Sequence, residues 1–410
     1  MAITLVLLFI PISGEWFKYL GYLFDGEESS VKELKFRKLT SSTAEVVGVK
    51  DKYADSFIIP SKVMIGMRVH TVTGIGDSSF YNCRNLKAIK IPTSVTSIGK
   101  QAFERCSDLT HIEIPTSVTS IGEYAFDGCL NLEQIEIPSS VTIIEDATFR
   151  FCRRLEHIEI PSGVTSIGDY AFLGCEILRF RNIPSSVTRI GKRAFESCSG
   201  LDTIRIPSSV SIIREGLFWG CINLENVFIP NDVTEIEANA FRKCQKLKNI
   251  DIPYGVAKIG EMAFSRCYNL ENVTIPNGVT EIEAGTFQEC YKLKSVDIPL
   301  GVVKIGDAAF YGCNDLDTVV MPNTIEKIGN SAFQNCMNLK NITIPPYVRT
   351  IGKESFGNCV GLETLEIPSS ISFIGSHAFN GCKNLSVKIP GSLTGTYFGD
   401  DPFEGCKSIY

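Results

Sequence analysis

Apolar and polar residues recur along this chain with a fixed period of 23 residues. The stretch 109–129 reads LTHIEIPTSVTSIGEYAFDGC, and equivalent stretches follow it with apolar residues at the same positions. Prolines close their first segments at positions 92, 115, 138, 161, 184, 207, 230, 253, 276, 299, 322, 345 and 368. Cysteines from Cys83 to Cys382 and phenylalanines from Phe80 to Phe379 keep the same spacing. Such a period indicates a protein built from stacked repeats.

The pattern inside one repeat predicts a strand followed by turns. Ile112 and Ile114 alternate with His111 and Glu113, which is typical of a short strand with one buried face. Pro115 ends that strand because proline has no N–H to donate to a neighbouring strand. Later in the repeat, a phenylalanine and a cysteine stand three residues apart. That spacing predicts a single 3₁₀ or α turn that points both side chains inward.

One repeat cannot enclose a core, but stacked repeats can. Parallel strands about 4.8 Å apart form one sheet, and the phenylalanines then form a buried ladder. A period of 20–29 residues with an L-x-x-I-x-I segment is typical of leucine-rich repeats. The predicted fold class is therefore an α/β-type repeat solenoid, a leucine-rich-repeat horseshoe or elongated arc. Its parallel β-sheet is expected on the concave side and its short helical or 3₁₀ turns on the convex side.

The period divides the chain into four regions. They are a leader with a capping helix (1–35), an N-terminal cap hairpin (36–71), an array of about 14 repeats (72–384) and a C-terminal irregular repeat or cap (385–410). The apolar run 3–12 is too short to span a membrane, and it is either a secretory signal or a hydrophobic capping piece. The C-terminal region is either a cap or the cut end of a longer protein. Arg181 occupies an inward strand position, so either Phe180 turns inward or that repeat is distorted.

Composition and motifs exclude several classes of function. The chain has 410 residues, 44% of them apolar, and a net charge of −6, which gives no basic excess for nucleic-acid binding. Sequence motifs of hydrolases, zinc proteases and nucleotide-binding enzymes are missing, so we expect no enzyme, no catalytic residue and no cofactor. The fifteen cysteines form no C-x-x-C pair. We therefore expect no metal site and interpret the cysteines as buried, reduced thiols.

The repeat unit L-x-x-I-x-I-P-x-x-V-T-x-I-G-x-x-A-F-x-x-C resembles the Treponema-type leucine-rich repeats of the BspA-like surface proteins. The resemblance covers about residues 36–408. It implies a protein at the cell surface or secreted, which adheres to host proteins or to neighbouring cells through its concave face. The alternative is a cytoplasmic interaction scaffold, because fifteen thiols suit a reducing compartment. Both interpretations expect protein ligands and no transmembrane segment, and both leave the oligomeric state open.

Candidate partner-binding residues are outward strand positions, two or four residues before a proline. They are His111, Glu113, Gln134, Glu136, His157, Glu159, Arg205, Phe228, Asp251, Asp297 and Val320. The three glutamates are either a product of sequence drift or part of an acidic patch that, with the two histidines, accepts a basic partner or a cation. Phe228 and Val320 stand beside a column rich in Asn, Thr and Ser, as is typical of protein-binding surfaces.

Overall fold

The structure, a computed structural model, describes residues 33–180, 182–391 and 397–410. Most of the predicted leader and capping helix, up to residue 32, lies outside these ranges, and so does Arg181. Within them, no helix is long and apolar enough to cross a membrane.

The first strand of each repeat lies where the alternation predicts it, and equivalent strands pair in parallel. Ile135, for example, pairs with Ile112 on one side and with Ile158 on the other. We call this row sheet I. Its strands are β3 (Ser56–Ile58), β6 (Ala88–Lys90), β8 (His111–Ile112), β10 (Gln134–Glu136), β12 (His157–Glu159), β15 (Thr203–Arg205), β17 (Asn226–Phe228), β19 (Asn249–Ile250), β21 (Asn272–Val273), β23 (Ser295–Asp297), β25 (Thr318–Val320), β28 (Thr364–Glu366), β30 (Ser386–Lys388) and β32 (Ser408–Ile409). The prediction of a parallel-strand solenoid of about 14 turns is confirmed.

A second row of parallel strands follows the proline of each repeat, and the sequence analysis did not predict it. We call this row sheet II. Its strands are β7 (Ser97–Ile98), β9 (Ser120–Ile121), β11 (Ile143–Ile144), β13 (Ser166–Ile167), β14 (Arg189–Ile190), β16 (Ile212–Ile213), β18 (Glu235–Ile236), β20 (Lys258–Ile259), β22 (Glu281–Ile282), β24 (Lys304–Ile305), β26 (Lys327–Ile328), β27 (Thr350–Ile351), β29 (Phe373–Ile374) and β31 (Tyr397–Phe398). Each has two residues, the second of which is a buried isoleucine, except in β31, where the exposed Phe398 pairs with Ile374. Two residues are too few for a period-two pattern to stand out in a sequence.

Four further strands precede the first regular repeat. They are β1 (Leu34–Lys38), β2 (Thr43–Val49), β4 (Lys62–Ile65) and β5 (Arg68–Ile75). β1 pairs with β2, and β4 pairs with β5, both antiparallel. β5 also pairs in parallel with β2 and with β7 of sheet II. The region predicted as one cap hairpin thus contains two antiparallel pairs, and its predicted boundary at residue 72 falls inside β5.

The prediction of helical turns is not confirmed, because the segment between sheet II and the cysteine consists of successive tight turns. No helix is present in the described ranges. Tyr124 (φ 58°) and Gly128 (φ 71°) have left-handed backbone conformations, which interrupt a right-handed helix. The N–H of Cys129 donates to the carbonyl of Phe126 (3.1 Å), whereas the N–H of Phe126 donates to Thr148 of the next repeat (2.9 Å). These turns therefore also connect neighbouring repeats.

The phenylalanines form the predicted ladder through the core. From Phe80 to Phe403, consecutive ring centroids are 5.1–5.9 Å apart and the ring planes differ by 0–18°. Phe57 of β3 closes the ladder at its N-terminal end, 5.4 Å from Phe80. Such offset stacking is a favourable arrangement of aromatic rings.

The cysteines form a second buried ladder. All fifteen are free, and fourteen are buried. From Cys106 to Cys382, each Sγ donates to the carbonyl oxygen of the phenylalanine 26 residues earlier, at 3.0–3.2 Å. Burial raises the pKa of Cys221, Cys267 and Cys313 to about 12. The thiols thus act as small hydrophobic groups with one weak donor each.

Phe180 turns inward in the repeat that contains Arg181. Its ring lies 5.3 Å from the ring of Phe195, edge to face, and 6.4 Å from Phe172. This is the first of the two outcomes that the sequence left open. Among the described residues, sheet I continues past this point only through a bridge between Asn182 and Arg205.

Candidate protein-binding face

Six of the predicted residues lie together on the exposed side of β8, β10 and β12. These three strands form one hydrogen-bonded unit. Gln134 pairs with His111 and with His157, and Glu136 pairs with Glu159. We call His111, Glu113, Gln134, Glu136, His157 and Glu159 the acidic patch.

Each of the two histidines of this patch lies near one glutamate. His111 Nε2 lies 3.9 Å from Glu113 Oε1, whereas His157 Nε2 lies 3.6 Å from Glu156, which is outside the patch. Among the described residues, neither Glu136 nor Glu159 has an ion pair. Their strands are about 5 Å apart, so the two carboxylates repel each other mildly. No group of three or more His, Cys, Asp or Glu side chains in the described ranges could hold a metal ion.

Arg205 and Phe228 form a second group, one residue on each of two paired strands. They stand opposite each other in β15 and β17. The guanidinium carbon of Arg205 lies 3.7 Å from the ring centroid of Phe228, which is a cation–π contact. The guanidinium group of Arg205 therefore covers one face of the Phe228 ring. The Phe228 side chain remains about half exposed.

The last three predicted residues lie further along sheet I. Asp297 and Val320 are paired across β23 and β25, and Asp251 directly follows β19. Within the described part of the chain, no strand pairing joins these groups to one another or to the acidic patch. The structure thus places the predicted residues on one face but in three groups.

Three strongly exposed apolar side chains in the turns after sheet I were not predicted from the sequence. Tyr254 is 82% exposed, Leu300 79% and Tyr347 65%. Each follows a strand-ending proline of sheet I by one or two residues. Phe228 (45%) and Val320 (53%) lie within strands of sheet I, and we call these five exposed residues the apolar edge. The positions after the prolines hold mostly Ser, Thr, Asn or Gly, so reading that column would have revealed the two tyrosines and the leucine.

A depression of about 360 Å³ lies on two neighbouring turns of sheet I, lined by residues of 272–277 and 295–299. Its lining includes Thr274, Ser295 and Asp297. The spacing between Tyr254 and Leu300 arises from a two-repeat block that occurs twice, as 231–276 and 277–322. Each copy presents an aspartate three residues before an exposed apolar residue. The two copies are two turns apart, or about 10 Å.

Comparisons with known proteins agree with the repeat architecture. The pattern described as a BspA type leucine rich repeat region matches residues 73–201, 178–294 and 280–410, in six copies. A leucine-rich repeat protein from Bacteroides ovatus is 30% identical and has a TM-score of 0.69. The match covers 91% of this chain and 99% of that protein. A leucine rich cell surface protein from Faecalibacterium prausnitzii is also 30% identical, with a TM-score of 0.51 and coverage of 89% and 94%. No curated protein sequence matches this chain.

Proposed function

Because the chain belongs to the BspA-type leucine-rich-repeat family, as its repeat unit predicts, we propose that it is a non-enzymatic cell-surface or secreted adhesion protein. It binds another protein through the exposed face of sheet I, which the sequence predicts to be concave. The relative from Faecalibacterium prausnitzii is described as a cell surface protein, and this supports the proposed location. The partner is a protein of the host or of a neighbouring cell.

The apolar edge is the observation that carries this proposal. Single exposed apolar residues are normal on protein surfaces, but here five of them occur within six successive turns, in strands of sheet I or in the turns that follow. Aromatic and aliphatic side chains that stand free in one protein act as anchors when a partner covers them. The small polar side chains beside them leave room for backbone and side-chain hydrogen bonds.

Charge indicates which partner groups this face accepts. Asp251 and Asp297 each stand next to an exposed apolar residue, Tyr254 or Leu300, and neither aspartate has an ion pair among the described residues. The acidic patch adds Glu136 and Glu159 on the same sheet. A partner segment with Lys or Arg beside apolar side chains, repeated after about 10 Å, complements this arrangement.

The buried cysteine ladder removes an argument for the cytoplasmic alternative. Oxidation and disulfide exchange require a thiolate that solvent can reach. Fourteen of the thiols are buried, and burial raises the pKa of Cys221 to about 12. Fifteen cysteines in this arrangement are therefore compatible with an oxidising environment as well as with a reducing one.

Antibody labelling of intact and permeabilised cells tests the location. An antibody raised against residues 231–322 should label intact cells, because this stretch includes Tyr254, Leu300 and Val320. Labelling only after permeabilisation would contradict the proposal and favour the intracellular scaffold.

A bead-binding assay tests whether the exposed face of sheet I binds to cells. Fluorescent beads carrying the full chain are mixed with a panel of intact cells, the producing cells among them, and bound beads are counted. A variant with Phe228, Tyr254 and Leu300 changed to Ser should lose most binding. The matched control changes Ile222 and Met337, which are exposed apolar residues outside sheet I, to Ser and should bind as the native chain does. Equal loss in both variants would argue against sheet I as the binding face.

A further inference from the structure

A second concave site lies on the turns that flank the cysteines, outside sheet I. It is a depression of about 330 Å³ that spans four successive turns. Three arginines line it, Arg84, Arg105 and Arg153. None of the lining residues belongs to the acidic patch or to the apolar edge. We call this depression the arginine pocket.

The lining of the pocket includes two residues with a small side chain or none. Ser107 lies on the same turn as Arg105, and Gly128 lies on the next turn. The position before each cysteine has a left-handed backbone, with φ of 71° at Gly128, and glycine adopts this conformation without strain. A Cβ at residue 128 would lie 3.5 Å from Cγ of Arg105. The missing side chain thus exposes the space that the arginines surround.

The lining of the pocket carries three positive charges and no carboxylate, in a chain whose net charge is −6. Arg84 Nε donates to Asn82 Oδ1 at 2.8 Å, and Arg84 has no ion pair among the described residues. Arg105 Nη1 donates to Tyr81 Oη at 3.2 Å. Most guanidinium N–H groups of these two arginines therefore have no protein acceptor.

The third arginine and the nearest acids leave the balance positive. Arg153 Nε lies 3.4 Å from Glu176 Oε1, and both side chains are more than half exposed. Arg105 Nε lies 3.6 Å from the buried Glu104. The contact of Arg153 with Glu176 joins two exposed groups and is weak, whereas the buried Glu104 partly offsets the charge of Arg105. Planar guanidinium groups with free N–H donors are the preferred protein ligands of phosphate, sulfate and carboxylate oxygens.

An apolar wall completes the pocket. Leu130 and Phe151 line it, and both are exposed. Phe151 has a φ of 58°, a conformation that is uncommon for a bulky residue, so its ring is displayed at some backbone cost. The guanidinium carbon of Arg150 lies 5.4 Å from that ring centroid and supports it. Phe151 and Leu130 thus form an apolar surface beside the arginines. A flat aromatic group of a ligand can pack on this surface.

From this combination we infer that the arginine pocket binds an oxyanion carried on an aromatic ring, such as an O-sulfated or O-phosphorylated tyrosine of a partner protein. The oxyanion accepts hydrogen bonds from the three guanidinium groups, and the tyrosine ring packs on Leu130 and Phe151. The volume is at the small end of ligand sites, which fits one such side chain. This site goes beyond the proposed adhesion through sheet I and does not depend on it.

Isothermal titration of the full-length chain tests the inference. The probes are the N-acetyl amides of O-sulfotyrosine, O-phosphotyrosine and tyrosine, and inorganic sulfate and phosphate. At least one tyrosine ester should bind about tenfold more tightly than tyrosine and than its own inorganic ion, since bonds to charged groups each contribute roughly tenfold. Preference for the sulfate ester indicates a partner from the secretory route, and preference for the phosphate ester indicates an intracellular partner. Binding of neither ester above its inorganic ion would overturn the inference.

Substitutions in the pocket make the test specific. Arg84→Gln, Arg105→Gln and Arg153→Gln should each weaken ester binding by roughly three- to tenfold, and Leu130→Ala should reduce the preference over the inorganic ion. Arg154→Gln is the matched control, because Arg154 pairs with Glu133 (2.9 Å) and does not line the pocket. Thermal unfolding checks that all variants are folded. Equal weakening by the control would indicate general attraction of anions and refute the site. Failure here leaves the bead experiment on sheet I unaffected, because the two share no residue.

Discussion

Alkaline pH should unfold this protein through its cysteine ladder. Burial raises the pKa of Cys221, Cys267 and Cys313 from an ordinary value of 9.0 to about 12. Between these values an unfolded chain loses the thiol protons, whereas the folded chain keeps them. The folded state then binds more protons than the unfolded state, so the free energy of unfolding falls as pH rises. The full stability is present below pH 9 and is lost progressively towards pH 12.

The size of the effect follows from the same values. Once the unfolded thiol is ionised, each buried thiol removes about 1.4 kcal/mol per pH unit. The three thiols together remove about 4 kcal/mol per unit, and about 3 kcal/mol between pH 9 and 10, where ionisation in the unfolded chain is still incomplete. A typical domain has a total stability of about 5–15 kcal/mol. The other fully buried cysteines shift in the same direction, for example Cys129 and Cys244, so the loss begins near pH 9 and is steepest at about pH 10 to 11.

Urea unfolding followed by circular dichroism in reducing buffer, from pH 7.5 to 10.5, measures this loss. The matched variant changes Cys221, Cys267 and Cys313 to Ala. Its stability at neutral pH will be lower because of the small cavities, but its decline between pH 9 and 10 should be smaller by about 3 kcal/mol. Comparing slopes cancels the cavity cost and the titration of lysines. Identical slopes for the two proteins would refute the assignment of the alkaline transition to these thiols.

Three further substitutions test which contacts stabilise the repeats, with the free energy of unfolding measured in urea at pH 7. Phe241→Ala should cost about 3–5 kcal/mol, because its ring stacks on a neighbour on each side; a loss below about 1 kcal/mol would contradict the ladder. Ser186→Ala should cost about 1 kcal/mol, since its Oγ donates at 2.6 Å to the carbonyl of the preceding repeat, and no change would show that this bond contributes nothing. Asp127→Asn should cost about 2 kcal/mol, because the buried carboxylate accepts two bonds from Arg150 (3.0 and 2.6 Å). The exposed pair of Glu133 is the control, where Glu133→Gln should cost less than about 0.5 kcal/mol; equal losses would contradict the role of burial.

The fold was predictable from the sequence because the inward columns repeat without a slip. Ile112, Phe126 and Cys129 occupy positions that every neighbouring turn must match, so a sequence period translates directly into a ladder. Sheet II could not be recognised, because its strands have two residues each. The turn at Tyr124 was assigned as helical from a spacing of three residues. Its left-handed φ is a backbone property that the side-chain pattern does not encode.

The binding face was predictable only in part. Outward positions have no period, so only the strand columns could be named, and Arg205 and Phe228 were chosen singly. Their 23-residue separation places them side by side in the register, and the sequence alone could have predicted that contact. Tyr254 and Leu300 were missed because they follow the strand-ending proline, where no alternation indicates which side chains face solvent.

Stability does not account for the apolar edge, and this directs the search for function to it. Burial of apolar surface contributes about 25 cal/mol per Å², so side chains as exposed as Tyr254 and Leu300 contribute little to folding. The ladder phenylalanines from Phe80 to Phe379 have the opposite character, because each is buried between two other rings and its replacement by a small residue costs stability. A side chain that gains nothing from folding can gain from a partner, since covering it releases the same free energy per unit area on binding. Substitutions along the apolar edge should therefore weaken binding without lowering the free energy of unfolding. Substitutions in the core cannot make this distinction, because they lower the free energy of unfolding themselves.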